Sequence, residues 1–276
     1  MFRRSFELYR KMKNFLEINS KKISYYKYGD GDPVILLHGI TSSSNTWKEL
    51  IDDLSKKRTV YTIDFRGHGN SDNFSSYMWS DFSKDILFFI EKIIKKPLDL
   101  IGHSLGACIA SEVAALSRYD VKNLILEDPP FFHAKRVGVE GVSKRFSYNL
   151  SLAKSSNSME NIYKKLSENT KLSKVRNLDT IAENLSNLDY KVLEETIDGS
   201  ALSNFNPLEI FENISNVRTL LIVGDEKKTG QVIIQEEIEI MKQKINKLHI
   251  EKLDCGHNIH EEKLNDFKKL VLEFLN

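Results

Sequence analysis

Gly102-His103-Ser104-Leu105-Gly106 sets a serine between two glycines, after the apolar run 98–101 and before a helical pattern over 105–116. A serine on a sharp strand-to-helix turn in a G-x-S-x-G frame is an exposed nucleophile. Its hydroxyl then stands at a helix N-terminus, where backbone N–H groups favour developing negative charge. Gly102 and Gly106 are required because a side chain at either place would meet neighbouring backbone. A free hydroxyl is a poor nucleophile at neutral pH and needs a base. Gly256-His257, close behind the run 248–253, offers an imidazole. His38-Gly39-Ile40-Thr41 follows the run 34–37, and Asp64-Phe65-Arg66-Gly67-His68-Gly69-Asn70-Ser71-Asp72 follows 59–63. All four groups fall at the C-terminal ends of expected strands, the edge where α/β sheets bind their ligands.

The elements that must position them alternate. Short apolar runs bounded by turn residues read as buried strands at 34–37, 59–63, 98–101, 124–126, 219–223 and 248–253, with two further β-type stretches at 15–18 and 23–28. Helical spacing recurs at Trp47, Leu50, Ile51 and Leu54, at Phe82, Ile86, Phe89, Ile90 and Ile93, and at Leu264, Phe267, Leu270, Val271 and Phe274. This predicts an α/β fold: a mostly parallel sheet with helices on both faces. The first two strands have no helix between them, which predicts an antiparallel edge. From 131 to 206 no strong strand signal occurs. Helical patterns at 159–166, 178–188 and 190–197 make this a helical insert, with a Ser/Asn-rich loop expected at 151–158 and a short helix opening at Pro207. The expected organisation is a core at 14–130 and 207–276, interrupted by a cap at 131–206.

With those four motifs the sequence resembles the α/β-hydrolase family in its capped form. The resemblance runs from about Phe15 to Leu275 and is weakest in the insert. It implies that Ser104 is the nucleophile and His257 the base, then the acid for the leaving group. It also implies an oxyanion hole from the backbone N–H groups of Ile40 and Leu105. The Asp64–Asp72 stretch would be structural. The third member of the triad departs from the family pattern. Three residues beyond Gly224, where the family places its acid, stands Lys227, which cannot accept a bond from imidazole. The replacement is Asp128, after the run 124–126, as in relatives such as the haloalkane dehalogenases. Asp225 remains the alternative, and Glu127 and Glu226 stand behind both.

Simpler roles suit the other histidines: loop orientation for His38 and His103, the structural turn for His68, and surface or cap positions for His133, His249 and His260. Cys255, His257 and His260 have spacings a metal could use, but no second ligand cluster matches them, so no metal and no cofactor is expected. Cys108, one helical turn past Ser104, reads as core packing. Phe131, Phe132, Phe146 and Tyr148 either line a pocket or pack the insert onto the core.

The 276 residues allow one large domain or a domain with an insert. Hydrophobic residues at 41% and charged residues at 29% exclude wholesale disorder. Forty basic residues against 39 acidic ones give a net charge of +1, which argues against nucleic acid or an anionic membrane as partner. Two cysteines make no disulfide framework, so a reducing, cytoplasmic setting is expected. The basic stretch up to Lys13 lacks the apolar core of a secretory signal, and Met12 is an alternative start to Met1. The expected activity is serine-dependent hydrolysis of a small ester, in a monomer or homodimer. C–C bond hydrolases, thioesterases and lactonases share every motif. A ligand-binding protein with residual hydrolysis is the reading from another class.

Overall fold

A computed structural model describes residues 12–132, 140–169, 177–229 and 232–276. Its strands are β1 (Met12–Ile18), β2 (Lys21–Tyr28), β3 (Asp32–Leu37), β4 (Arg58–Ile63), β5 (Leu98–His103), β6 (Val121–Glu127), β7 (Arg218–Val223) and β8 (Leu248–Lys252). They form one sheet in the order β1-β2-β4-β3-β5-β6-β7-β8. β1 pairs antiparallel with β2, and β2 with β4, while the remaining pairs are parallel. The expected antiparallel edge is therefore present. Asn19 and Ser20, both at positive φ (51° and 63°), make the two-residue turn that joins β1 to β2.

Period-two alternation sends each central strand to two cores. Val34 and Leu36 of β3 face α1 (Lys48–Leu54) and α12 (Leu264–Leu275), in a cluster with Trp47, Leu50 and Phe267. Ile35 and Leu37 face the other way, into a cluster with residues of α2 (Trp79–Phe89), α3 (Leu105–Leu116), α8 (Pro207–Asn213) and α10 (Gln235–Lys244). Leu37 lies opposite Gly102, His103 opposite Glu127, and Glu127 opposite Ile222. The register thus levels the strand ends that carry the motifs.

Between β6 and α8 lie α4 (Glu140–Ser155), α5 (Met159–Ser167), α6 (Leu178–Ser186) and α7 (Lys191–Asp198). Ser158 and Asn177 cap α5 and α6 with their side-chain oxygens, and Gly199 ends α7 at φ 84°. The loop expected at 151–158 is helical as far as Ser155. Leu152 and Ala153 are buried there, and that burial outweighs the weak helix preference of the surrounding serines. The insert docks on the loops after β3 and β4. Asn184 Oδ1 accepts from Ser43 Oγ at 2.9 Å, Asp189 Oδ2 accepts from the Tyr77 hydroxyl at 2.6 Å, and the Asp189 N–H donates to the Gly67 carbonyl at 2.8 Å. Two short helices complete the core, α9 (Glu226–Thr229) and α11 (Ile259–Glu262). Residues 1–11 and His133, which the sequence analysis discusses, lie outside the described residues, as do parts of the insert. Among the described residues no helix is long and apolar enough to cross a membrane.

Candidate active site

Ser104 links β5 to α3 at φ 54°, ψ −118°, a conformation that costs a non-glycine residue strain and that the surrounding structure must enforce. Two close approaches enforce it. A Cβ on Gly102 would lie 2.2 Å from the Gly106 carbonyl oxygen, and one on Gly106 would lie 2.2 Å from the Leu37 oxygen. The Ser104 N–H donates to the Glu127 carbonyl at 2.8 Å, which ties the turn to the neighbouring strand.

The structure brings Ser104, His257 and Asp128 together. Ser104 Oγ is 2.9 Å from His257 Nε2, and His257 Nδ1 is 2.6 Å from Asp128 Oδ2. With a carboxylate at Nδ1, that nitrogen carries the proton, and Nε2 is left to accept from the serine hydroxyl. Asp128 reaches the ring because its backbone turns at φ 45° just past β6. Its N–H donates to the Ile222 carbonyl at 2.9 Å, and Oδ1 takes a long bond of 3.5 Å from the Gly224 N–H. Burial pushes the Asp128 carboxyl up to about 7, a rise that the Gly224 N–H only partly offsets.

Asp225 is not brought to the ring. Its Oδ1 accepts from the backbone N–H groups of Lys227 and Lys228 at 3.0 and 3.3 Å, which caps α9. Glu226 and Lys227 lie within that helix, and Lys227 is exposed.

Leu105 opens α3, so its N–H is one of the donors a first helical turn leaves without an internal partner. Ile40 sits on the loop after β3 and its carbonyl accepts from His68 Nε2 at 2.7 Å. Ser44 N–H donates to Asp64 Oδ1 at 2.8 Å, and the Phe65 N–H donates to His38 Nε2 at 3.1 Å, so the Asp64–Asp72 stretch braces this loop. Arg66 forks onto Asp85 at 2.7 and 2.6 Å. Burial holds His38 down to about 3 and keeps His68 below its usual range. His38 and His68 thus serve the loops, as their positions in the sequence suggested. His103 does so too: its Nε2 donates to the His257 carbonyl at 3.0 Å, and burial holds the ring well below the ordinary histidine range.

His260 corrects the sequence reading. It is 6% exposed rather than on the surface, because Ile259 and α11 turn it under the site. Its Nδ1 lies 2.8 and 2.9 Å from the two Glu127 oxygens, its backbone N–H donates to Glu127 Oε1 at 2.9 Å, and Nε2 is 2.7 Å from Thr46 Oγ1. Donor atoms of His103, Glu127 and His260 gather within 4.8 Å of one another, whereas the Cys255 thiol turns to the Leu253 carbonyl at 3.8 Å. Cys108 is fully buried, as expected of a packing residue. Phe131 packs edge-on against Phe211 with ring centroids 4.7 Å apart, and Phe132 is buried beside it. Phe146 and Tyr148 are partly buried against the same core.

A strained serine on a strand-to-helix turn, at the edge of an eight-stranded mostly parallel sheet, defines a class of hydrolase scaffold, and the comparisons agree. The chain belongs to the α/β-hydrolase fold family, whose profile matches residues 32–264. It is 24% identical over 275 residues, 95% of this chain and 100% of the relative, to an abhydrolase domain-containing protein of Schizosaccharomyces pombe. Over 105 residues, 38% of this chain and 37% of the relative, it is 33% identical to 2-(acetamidomethylene)succinate hydrolase of Mesorhizobium japonicum. A carboxylesterase structure from Nitrososphaera gargenis shares the fold at a TM-score of 0.75 and 20% identity, over 95% of this chain and 97% of that one.

Proposed function

We propose that the protein is a serine hydrolase of the carboxylesterase type that cleaves small esters through an acyl-enzyme. The observation that carries this is the unbroken path from Asp128 Oδ2 through His257 to Ser104 Oγ, at 2.6 and 2.9 Å. Ser104 attacks the carbonyl carbon while His257 Nε2 takes the hydroxyl proton. The Ile40 and Leu105 N–H groups receive the developing oxyanion, and His257 returns the proton to the leaving alcohol. Water then repeats the sequence and frees the acid. Asp128 holds the ring in its Nδ1–H tautomer and offsets the imidazolium charge. The relative that hydrolyses 2-(acetamidomethylene)succinate supports a second reading, in which the same machinery acts on an amide-bearing substrate.

The insert acts as a cap over this edge, held by the Ser43–Asn184 and Tyr77–Asp189 bonds, and favours short to medium acyl chains. A cytoplasmic setting fits the two free, buried thiols.

A fluorophosphonate probe tests the reading. It should label the wild type and not Ser104→Ala, which should lose on the order of 10⁴–10⁶ in kcat on p-nitrophenyl acetate and keep its fold. Labelling that persists in Ser104→Ala would place the nucleophile elsewhere.

A further inference from the structure

Glu127 and Asp128 are consecutive residues, and each holds a histidine, His257 before α11 and His260 within it, three positions apart. The atoms repeat as well as the residue types. Asp128 meets His257 at Nδ1 and His257 Nε2 meets a serine hydroxyl. Glu127 meets His260 at Nδ1, at 2.8 and 2.9 Å, and His260 Nε2 meets the Thr46 hydroxyl at 2.7 Å. Glu127 is wholly buried, places both oxygens against Nδ1 and accepts the His260 backbone N–H as well, the arrangement of an acceptor facing an Nδ1–H donor. In the tautomer with Nδ1 protonated toward Glu127, Nε2 accepts and the Thr46 O–H donates to it. A hydroxyl whose hydrogen is committed keeps its lone pairs for something else.

Those lone pairs belong to a half-buried residue in the wall of the cleft that also exposes Ser104 and His257. The cleft holds about 20 Å³ of free space, room for one water-sized group. Asn258 and Glu261 share the wall with Thr46, and Glu261 Oε1 stands 3.9 Å from His260 Nε2. They share this cleft with His257, whose Nε2 must deliver the proton to a leaving group.

We propose that Thr46 Oγ1, backed by His260 and Glu127, is a hydrogen-bond-accepting subsite that takes a hydroxyl or N–H group carried by the substrate's leaving group. The substrate class is then an ester of a hydroxylated alcohol rather than of a plain alkanol. The inference rests on Ser104 being the nucleophile.

Three matched esters test it: 2-hydroxyethyl acetate carries a donor, 2-methoxyethyl acetate only an acceptor, and propyl acetate neither. The wild type should prefer the hydroxyethyl ester over the propyl ester by roughly tenfold in kcat/KM, about the worth of one hydrogen bond, with the methoxyethyl ester close to propyl. Thr46→Val should bring the hydroxyethyl-to-propyl ratio close to one, and Thr46→Ser should restore it. A wild-type ratio near one, a ratio that survives in Thr46→Val, or a methoxyethyl ester favoured as strongly as the hydroxyethyl ester would each overturn the subsite. Ligand-observed NMR competition between the esters on Ser104→Ala reads the same preference without chemistry. A preference there, together with a failure of fluorophosphonate to label the wild type, would sink the serine reading and leave the subsite standing. No preference there sinks the subsite alone.

Discussion

The ends of β6 and β7 each carry an aspartate one or two residues past the last paired position, and the two aspartates have opposite fates. Asp128 is 1% exposed, turns at positive φ and spends Oδ2 on His257. Asp225 is half-buried, spends Oδ1 on two backbone N–H groups of α9, and lends its own N–H to the Cys255 carbonyl at 2.9 Å. One is desolvated against a single side-chain partner, the other is a local cap. Residue type and nearness to the strand end are the same in both. What differs is the direction in which the backbone leaves the sheet. An acid's role is therefore decided by a few degrees of freedom at one peptide rather than by which loop the family usually employs.

The largest test of this contrast exchanges carboxylate for amide at each site. Asn can still hold the ring but favours the other tautomer and offers no charge to the imidazolium. Asp128→Asn should lose roughly 10³–10⁴ in kcat with little change in KM, whereas Asp225→Asn should lose less than tenfold. Steady-state kinetics on p-nitrophenyl acetate decide it. The contrast breaks if Asp225→Asn alone abolishes turnover.

Most of the scaffold was legible in the sequence, because the central parallel strands are continuous apolar runs and four strands carry a motif at the same end; β8, which reads as buried, is instead a largely exposed edge strand. Ser104 was legible through its flanking glycines, and the 2.2 Å approaches show why they cannot be replaced. The proposed acid was legible only as a choice between Asp128 and Asp225, since no local pattern announces the turn at φ 45° that aims Asp128 at His257. His260 was misread. Its partners Glu127 and Thr46 lie 133 and 214 residues away, and no local pattern announces such a contact. A second carboxylate directly before Asp128 and a second histidine three positions after His257 were the available signal. The serines at 151–155 suggested a loop because composition there outvoted Leu152 and Ala153, the residues that bury the helix.

A smaller effect sharpens the contrast through pH. Burial raises the folded-state value of Asp128 from the ordinary 3.8 to about 7, so between those values the folded protein keeps a proton that the unfolded chain gives up. The stability linked to that proton is fully present below the ordinary value and is lost as pH rises to about 7. Asn has no such proton to lose. The Tm of Asp128→Asn minus that of the wild type should therefore be more positive at pH 8 than at pH 5. Over the same range the wild type should gain activity as the carboxylate forms, the limb belonging to the coupled aspartate–histidine pair. Asp225→Asn should show neither trend. A Tm difference that does not move between pH 5 and pH 8 would mean the Asp128 carboxyl is ionised throughout.

The smallest effect belongs to Asp225 as a cap. Removing both oxygens in Asp225→Ala leaves the N–H groups of Lys227 and Lys228 to water and deprives α9 of its first-turn acceptor. Loss of such a cap costs about 1 kcal/mol, and in a chain of this size that lowers Tm by roughly 2–4 °C. Asn keeps a side-chain oxygen in the same place, so Asp225→Asn should recover most of the loss. Neither change should alter the pH dependence of turnover, because Asp225 makes no contact with His257 among those described. Differential scanning fluorimetry across the three proteins, paired with a pH–rate profile for each, separates a cap from an acid. A fall in Tm with an unmoved profile is the signature of a cap. An acid would show the reverse, a shifted or collapsed profile with Tm intact, and that outcome for Asp225 would return the triad's third member to the loop after β7.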